Sequence, residues 1–214
     1  MKTALIIGGD LRTFTECFPS LESNILNYNT CDVYLHLYDE TGTAEAIKLL
    51  RPVRYLVEDK NQVVHQIHPQ CQTNKPPETD PMGVFYQWRT VQKAFDLIKN
   101  VSYDMVIKTR YDVKYTNPLK ANKYDPNLLN VPVGGDWRGG LFDMVAWGSH
   151  TIMAQYCSLY DRINGYVVEG VPCHSELLNL YNNKNNNIHR CEYTVLLRRM
   201  FDREFVEDRV FTLR

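Results

Sequence analysis

The sequence lacks a strong net charge of either sign. Its 214 residues include 24 lysines and arginines and 25 aspartates and glutamates, which gives a formal net charge of −1. A chain this close to neutrality has no bulk attraction to nucleic acid or to an anionic membrane. Basic patches with interleaved aromatic residues are missing as well. We therefore expect no nucleic-acid partner.

Long apolar runs and paired cysteines are also missing. No run approaches the roughly 18 apolar residues of a membrane span, and the apolar run in MKTALIIGGD is too short for a signal peptide. The six cysteines form no CxxC pair and have no zinc-finger spacing. These absences predict a protein of the reducing cytoplasm, with six free thiols and no membrane span.

Several common catalytic signatures are missing too. The chain has no P-loop, no HExxH sequence, no kinase signature and no Ser-His-Asp order. The loop after the first apolar run reads GGDLRT, which departs from the GxGxxG pattern of dinucleotide-binding enzymes. Any catalytic site in this chain therefore uses a different combination of residues.

Apolar runs that alternate with helical patterns dominate the first half of the chain. TALIIGG (residues 3–9), CDVYLHLYD (31–39) and VRYLVED (53–59) predict strands. Helical spacing of apolar residues predicts helices at residues 13–28 and 43–50. This strand-helix alternation indicates an α/β fold with a central, mostly parallel sheet and helices on both of its faces.

A proline-rich segment interrupts the alternation at residues 61–81, which we expect to be a long functional or mobile loop. A strong helical stripe follows at 83–100, and YDMVIKTRYDVKY then predicts a strand over 103–113. Further strands are predicted at 141–147 and 191–199, and further helices at 150–163 and 173–181. The sequence has no recognisable linker, and we expect residues 1–214 to form one domain.

The loop GGDLRT is the first candidate site. Gly8 and Gly9 allow a ligand to approach the backbone, and Arg12 can pair with a phosphate. We place Asp10 with them, and also Asp39, at the end of the second predicted strand, as candidates for binding a nucleotide-sugar. A plain strand-to-helix turn would explain the same residues.

The segment KTRYDV is the second candidate site. Lys108, Arg110 and Asp112 are two residues apart, so one continuous strand would place all three on one face. Ligands of open parallel sheets lie beyond the carboxyl ends of the strands. The two cations suit a diphosphate, and Asp112 suits a divalent metal shared with it. The alternative is a solvated strand face with an ion pair.

A second carboxylate pair lies in the sequence PPETDP. Glu78 and Asp80 have the acid-x-acid spacing that can chelate Mn²⁺ or Mg²⁺. The prolines on either side stiffen this part of the loop. The alternative is that both acids only solubilise a polar loop.

Candidate residues for an acceptor substrate lie in the second half of the chain. Trp137 and Arg138 belong to a glycine-rich turn, and Asp143 follows as a candidate general base. His174 and Glu176 lie where the helix at 173–181 begins, so His174 either contacts ligand or caps the helix. A hairpin connection would explain the glycine-rich turn without any function.

Together, ALIIGGDLRTFTECFPSLESNIL, CDVYLHLYDE, YDMVIKTRYDVKY, GGLFDMVAWGSHTIM and HSELL resemble a family of small glycosyltransferases. Large DNA viruses, chlorella viruses in particular, and bacterial surface-polysaccharide loci encode these enzymes. The resemblance covers most of the chain. It implies a GT-A fold, and for a viral protein it implies the host cytoplasm and a chain that is one glycosyltransferase domain of a longer protein.

The family carries a metal-binding Asp-x-Asp motif, and the matching positions here read Arg110-Tyr111-Asp112. The resemblance therefore assigns only Asp112 to the metal and the diphosphate. Glu78 and Asp80 form the rival acid-x-acid pair, and the two sites stay open alternatives.

The activity that the resemblance implies is transfer of a hexose or deoxyhexose from a UDP-sugar to a glycan acceptor, with Mn²⁺ or Mg²⁺ as cofactor. Asp112, Asp143 and Glu176 are the candidate catalytic carboxylates, and we expect a monomer. The alternatives are a sugar nucleotidyltransferase and a non-catalytic carbohydrate-binding module. A single arginine in the first loop argues against the nucleotidyltransferase, which needs a lysine-rich loop for a nucleoside triphosphate.

Overall fold

The computed structural model describes residues 1–134, 136–193, 195–201 and 205–210; only the backbone is described for residues 137, 197–201 and 205–210. The strands are β1 (Thr3–Gly8), β2 (Cys31–Tyr38), β3 (Arg54–Glu58), β4 (Met105–Thr109), β5 (Val113–Tyr115), β6 (Leu129–Pro132), β7 (Ala146–Gly148), β8 (Ile188–Cys191), β9 (Val195–Phe201) and β10 (Phe205–Val210). The helices are α1 (Phe14–Leu21), α2 (Thr43–Leu50), α3 (Gln70–Thr73), α4 (Pro81–Asp96), α5 (His150–Cys157), α6 (Ile163–Val168) and α7 (Ser175–Asn182).

Seven strands form the central sheet in the order β3-β2-β1-β4-β7-β6-β8, and β10-β9-β5 form a second sheet. Strands β1 to β4 are mutually parallel where they pair, whereas β7 runs antiparallel to both β4 and β6. Every residue of β1 is buried, as expected for a parallel strand that is covered on both faces. The structure thus confirms the predicted α/β class and the mostly parallel sheet.

The predicted strand over residues 103–113 is wrong as one continuous element. β4 ends at Thr109, the chain turns through residues 110–112, and β5 then joins the second sheet. The turn is fixed by Tyr111, which is buried and donates a hydrogen bond to the His36 carbonyl at 3.1 Å. The alternation that would align Lys108 with Asp112 therefore stops at the strand end.

The predicted strand over residues 141–147 is also shorter in the structure, where β7 begins at Ala146. Lys108 supplies the physical reason. Its Nζ atom donates hydrogen bonds to the carbonyls of Asp143 and Met144, the second at 3.1 Å. Because a buried carbonyl needs a hydrogen-bond donor, the lysine takes the place of ladder partners here.

The proline-rich segment contains the short helix α3 and ends where α4 begins. Asp80 caps α4, because its carboxylate oxygens accept hydrogen bonds from the backbone N–H groups of Met82 at 3.0 Å and Gly83 at 3.1 Å. Pro81 occupies the first helical turn, where its missing N–H costs nothing. Within the described residues, no helix has the length and apolarity needed to cross a membrane.

An ion-pair cluster fastens α4 to the edge of the central sheet. Arg89 of α4 donates to both carboxylate oxygens of Glu58, at 2.5 and 2.9 Å, and His36 Nε2 lies 2.6 Å from the same carboxylate. Hydrogen bonds from Arg89 lower the pKa of Glu58 to about 2, against the opposing effect of partial burial and with a further contribution from His36. The charged form of Glu58 therefore stabilises the contact between α4, β2 and β3.

The first prediction concerns the pH dependence of this cluster. Because the folded pKa of Glu58 is depressed, its contribution is present above the ordinary carboxylate pKa and is lost as the pH falls from about 4.5 towards 2. Urea unfolding at pH 6 and pH 3 should show the wild type losing about 1–2 kcal/mol more than Glu58→Gln does. Arg89→Met should lose as little stability between pH 6 and pH 3 as Glu58→Gln does, because it also removes the ion pair. Equal losses in all three proteins would contradict the assignment.

Close packing between β1 and α4 depends on the absence of a side chain at Gly8. A Cβ atom built there would lie 2.6 Å from the Thr90 carbonyl oxygen of α4. Backbone atoms cannot move away as a flexible side chain can, so α4 would have to shift. Gly8 therefore brings α4 against the end of β1.

The second prediction follows from that contact. Gly8→Ala should destabilise the protein by about 1–3 kcal/mol, because it overpacks the junction of β1 and α4. Gly165→Ala in α6 is the matched control, since a Cβ there meets nothing within 4 Å, and it should be neutral or stabilise by up to about 1 kcal/mol. Urea denaturation of both variants measures the difference, and equal midpoints would overturn the packing argument.

Candidate active site

A cleft of about 500 Å³ lies at the carboxyl ends of β1, β2 and β4. Open parallel sheets bind their ligands at this edge. Its walls come from the loop after β1, the start of α4, the segment before α7 and the proline-rich loop. The lining residues are Gly8, Gly9, Asp10, Arg12, Tyr38, Lys60, Glu78, Thr79, Asp80, Met82, Gly83, Val84, Tyr86, Gln87, Thr90, Arg110, His174 and Ser175.

The strand order sets the order of chemical groups along the cleft. Lys60 follows β3, Tyr38 ends β2, Arg12 follows β1 and Arg110 follows β4. Asp143 precedes β7, the next strand of the sheet. The cleft thus runs from an aromatic and basic end, through two arginines, to a polar end beside Asp143.

A buried carboxylate holds the two arginines together. Arg110 donates from Nε and Nη2 to the two oxygens of Asp112, at 2.9 and 2.8 Å. Arg12 donates from Nη1 to one of the same oxygens at 2.9 Å. The side chain of Asp112 is only 1% exposed, whereas that of Arg12 is 42% exposed. Asp112 therefore anchors both cations from beneath the cleft.

The electrostatics of this group favour the charged forms. Burial by itself would raise the pKa of Asp112, but Arg110 and Arg12 outweigh it and hold the pKa below its ordinary value. Burial would likewise lower the pKa of Arg110, and the Asp112 carboxylate outweighs that effect, so the pKa is raised. The ion pair between Arg110 and Asp112 therefore keeps both of its members charged.

The chain of charges continues along the loop after β1. Arg12 Nη2 lies 3.5 Å from Asp10, and Lys60 Nζ donates to the other oxygen of Asp10 at 2.7 Å. Gly9 has φ of 135°, and Arg12 has φ of 45°, which a residue with a side chain rarely adopts. A strained backbone of this kind persists only where the surroundings hold it in place, and it is concentrated at functional sites.

Lys108 does not join the other cations. Its side chain is buried, its amine is bound by carbonyl groups, and it lies 5.8 Å from the centre of the Trp88 ring. Burial lowers the pKa of Lys108 to about 8, although Asp143 opposes this shift. The predicted role in neutralising a diphosphate is therefore corrected: Lys108 is a strand residue that pins the segment before β7.

The two proposed metal sites differ in how accessible their carboxylates are from the cleft. Both oxygens of Asp112 already face guanidinium groups, and Asp112 does not line the cleft. Glu78 and Asp80 are exposed in the wall of the cleft. Over the described ranges, no three residues among His, Cys, Asp and Glu converge to hold a metal. A metal at Glu78 and Asp80 would need further ligands from a substrate.

A hydrogen-bonded group lies at the polar end of the cleft. Gln87 Nε2 donates to Asp143 at 2.7 Å and to Ser175 Oγ at 3.0 Å, and Trp88 Nε1 donates to the same hydroxyl at 2.9 Å. Gln87 and Ser175 line the cleft, whereas Asp143 is 6% exposed behind them. Gln87 therefore lies between the cleft and Asp143, the predicted base.

The other predicted acceptor-side residues have separate positions. His174 lines the cleft, and burial lowers its pKa, with Asp143 and Glu78 opposing the shift. Glu176 lies in the first turn of α7, where its carbonyl accepts from Leu141 N at 2.9 Å. Arg138 is exposed with φ of 48°, and the side chain of Trp137 lies outside the described part of the chain.

Asp39 is exposed beside the cleft, and its neighbour Tyr38 forms the lining instead. Tyr38 and Lys60 also line the cleft, although the sequence did not predict them there. A stripe of α4 that faces the cleft was likewise not predicted; it is formed by Gly83, Tyr86, Gln87 and Thr90. These four have i, i+3, i+4, i+7 spacing, so they share one helix face. That spacing was the available signal, but the stronger apolar stripe of the same helix obscured it.

Comparison of the chain with protein-family models gives no match, and comparison with curated proteins gives none either. The functional interpretation of the cleft therefore rests on its geometry and chemistry.

The third prediction tests the anchoring role of Asp112. Asp112→Asn removes the negative charge shared by two guanidinium groups, so it should destabilise the protein by about 2–4 kcal/mol. Asp104→Asn is the matched control, because Asp104 is exposed and accepts one bond from the Lys2 amide at 2.7 Å. It should change the unfolding free energy by less than about 0.5 kcal/mol. Equal urea midpoints for the two variants would refute the anchoring role.

Proposed function

We propose that the protein is a GT-A glycosyltransferase that binds a UDP-sugar and transfers its hexose or deoxyhexose to a glycan acceptor. The observation that carries the proposal is the pair of arginines, Arg12 and Arg110, held by Asp112 at the carboxyl edge of a parallel sheet. Guanidinium groups bind phosphate oxygens with two parallel hydrogen bonds, so this pair suits a diphosphate.

The basic and aromatic end of the cleft supports a nucleoside site. Tyr38 and Tyr86 pack edge to face with ring centres 6.1 Å apart, and Lys60 Nζ lies 5.2 Å from the centre of each ring. Aromatic faces stack on nucleobases, and the half-buried Tyr86 is the ring that would do so, because Tyr38 is only 2% exposed. Asp10 supplies carboxylate acceptors nearby for a ribose hydroxyl. The base would thus lie beside β2 and β3, with the diphosphate over β1 and β4.

The arginines would contribute to the reaction by charge stabilisation. Negative charge builds on the diphosphate as the bond to the sugar breaks, and preorganised cations at that position lower the barrier. Because Asp112 already fixes both guanidinium groups, little reorganisation is needed at the moment of reaction. Asp112 therefore acts by orienting the cations.

Glu78 and Asp80 are the residues that fit a divalent cation in this proposal. Mn²⁺ and Mg²⁺ prefer carboxylate and phosphate oxygens, and Glu78 and Asp80 line the cleft whereas Asp112 does not. The Asp80 oxygens that cap α4 accept only from neutral backbone N–H groups, whereas those of Asp112 are bound by two guanidinium cations. When bound, the metal would supply a Lewis acid for the diphosphate. Glu78 and Asp80 would hold it beside the arginines.

The acceptor glycan would approach from the end of the cleft formed by His174, with Arg138 and Trp137 on the glycine-rich turn. If the reaction inverts the sugar, a carboxylate base must reach the acceptor hydroxyl. Asp143 and Glu176 remain the proposed candidates for that base. Asp143 would act there only if Gln87 moved aside.

The fourth prediction uses calorimetry with UDP, with and without Mn²⁺. Wild-type protein should bind UDP about 10-fold more tightly with the metal, and Glu78→Gln should remove that gain. Arg12→Ala should weaken UDP binding about 10-fold under both conditions, because it removes a phosphate partner. Glu45→Gln, an exposed carboxylate of α2, is the control and should behave like the wild type.

Absence of UDP binding under both conditions would refute the proposal. Loss of the metal effect in Asp112→Asn but not in Glu78→Gln would move the metal to Asp112. Release of UDP from a UDP-sugar, rather than pyrophosphate from UTP and a sugar phosphate, distinguishes a glycosyltransferase from a nucleotidyltransferase. Glycan binding without any UDP release would favour a carbohydrate-binding module.

A further inference from the structure

The amide of Gln87 has only one orientation that satisfies its neighbours. Its Nε2 atom lies 2.7 Å from a carboxylate oxygen of Asp143. An ionised carboxylate can only accept hydrogen bonds, so the nitrogen and not the oxygen of the amide must face it. The second N–H is donated to Ser175 Oγ at 3.0 Å. The carbonyl oxygen, Oε1, is then the polar atom left for a ligand.

The hydroxyl of Ser175 is constrained in a complementary way. Its oxygen accepts from Gln87 Nε2 at 3.0 Å and from Trp88 Nε1 at 2.9 Å. A hydroxyl oxygen has two acceptor lone pairs, so these two donors occupy both of them. What remains is the hydroxyl proton, which Ser175 can donate. Ser175 is 9% exposed and lines the cleft beside Gln87.

The geometry points to a sugar-reading subsite in which Gln87 Oε1 accepts a hydrogen bond from one sugar hydroxyl and Ser175 Oγ donates one to a neighbouring hydroxyl oxygen. This inference rests on the proposed function, because it assigns the sugar of the donor to this end of the cleft. Gln87 is then a specificity-determining residue, and Asp143, as long as Gln87 covers it, is a positioning residue that acts through it.

The position of the pair agrees with the order of groups along the cleft. Lys60 and Tyr38 lie towards β3 and β2, the arginines lie over β1 and β4, and Asp143 precedes β7. A UDP-sugar whose base lies at the aromatic end and whose diphosphate lies on the arginines would carry its sugar towards β7. Gln87 lies on α4 one helical turn beyond Gly83.

The chemistry of the pair also selects the class of sugar. A carbonyl oxygen backed by the Asp143 carboxylate repels another carboxylate and favours a neutral group that can donate. The subsite therefore suits a neutral hexose or deoxyhexose and disfavours a uronic acid. A site that hydrogen-bonds a hydroxyl rejects the analogue without it, because its buried polar atom is left unpaired.

The fifth prediction pairs enzyme variants with monodeoxy donors. The rate of UDP release is measured for wild type and Gln87→Met, with the preferred neutral UDP-sugar and with its analogues lacking one hydroxyl each. In the wild type, loss of the hydroxyl read by Gln87 should lower kcat/KM about 10–100-fold. In Gln87→Met the loss of the same hydroxyl should lower kcat/KM by less than about 3-fold. Loss of each other hydroxyl should have the same effect as in the wild type.

Two further variants separate recognition from folding. Gln87→Asn keeps an amide but shortens it, so it should reduce the discrimination at the same hydroxyl even if Gln87→Met unfolds. Gln92→Met is the matched control on α4, because Gln92 hydrogen-bonds the exposed Asp161 and does not line the cleft. Gln92→Met should leave the ratio of kcat/KM between the full donor and each deoxy analogue unchanged. Asp143→Asn should alter discrimination only at the sugar hydroxyl that Gln87 binds. A merely structural role of Asp143 would not single out that hydroxyl.

The outcomes distinguish this inference from the proposed function. If wild-type protein binds UDP but Gln87→Met and Gln87→Asn keep full discrimination at every hydroxyl, the subsite is refuted and the glycosyltransferase proposal stands. A wild-type preference for a UDP-uronic acid would also overturn the subsite. If wild-type protein binds no UDP, the glycosyltransferase proposal itself fails.

Discussion

The ion pairing of Asp112 with Arg110 and Arg12 is the interaction on which the cleft depends. It joins the loop after β1 to the turn after β4, which lie on neighbouring parallel strands. A nearly fully buried carboxylate is stable as an anion only when its oxygens are bonded, and here both are. Without Asp112, the two arginines would repel each other. With it, they face the cleft as fixed cations.

The same short segment also joins the two sheets. Tyr111 is buried and bonds the His36 carbonyl, so the chain turns sharply after β4 and enters β5. Lys108, just before the turn, points away from the cleft to the carbonyls that precede β7. Lys108 and Arg110, two residues apart, thus have different roles, because Lys108 lies within β4 and Arg110 lies beyond its end.

Helix α4 completes the cleft on the other side. Gly8 lets it approach β1, the Glu58–Arg89 pair fastens it to the sheet edge, and Asp80 fixes where it begins. Gln87 is then presented beside Asp143, which determines the direction of its amide. Structural and proposed binding roles therefore share the same helix. One consequence is that Asp80 serves as helix cap and as proposed metal ligand at once.

The sequence by itself determined the strand-helix order from β1 to β3, the mostly parallel sheet and the loop of Gly8, Gly9 and Arg12, because apolar periodicity and glycine position are local properties. Only the tertiary structure decided that Lys108 is buried, that Asp112 is an anchor, and that Lys60 and Gln87 reach the cleft. The reason is physical. The direction of a side chain near a strand end depends on where the strand stops, and that point was set by distant partners, the His36 carbonyl and the segment before β7.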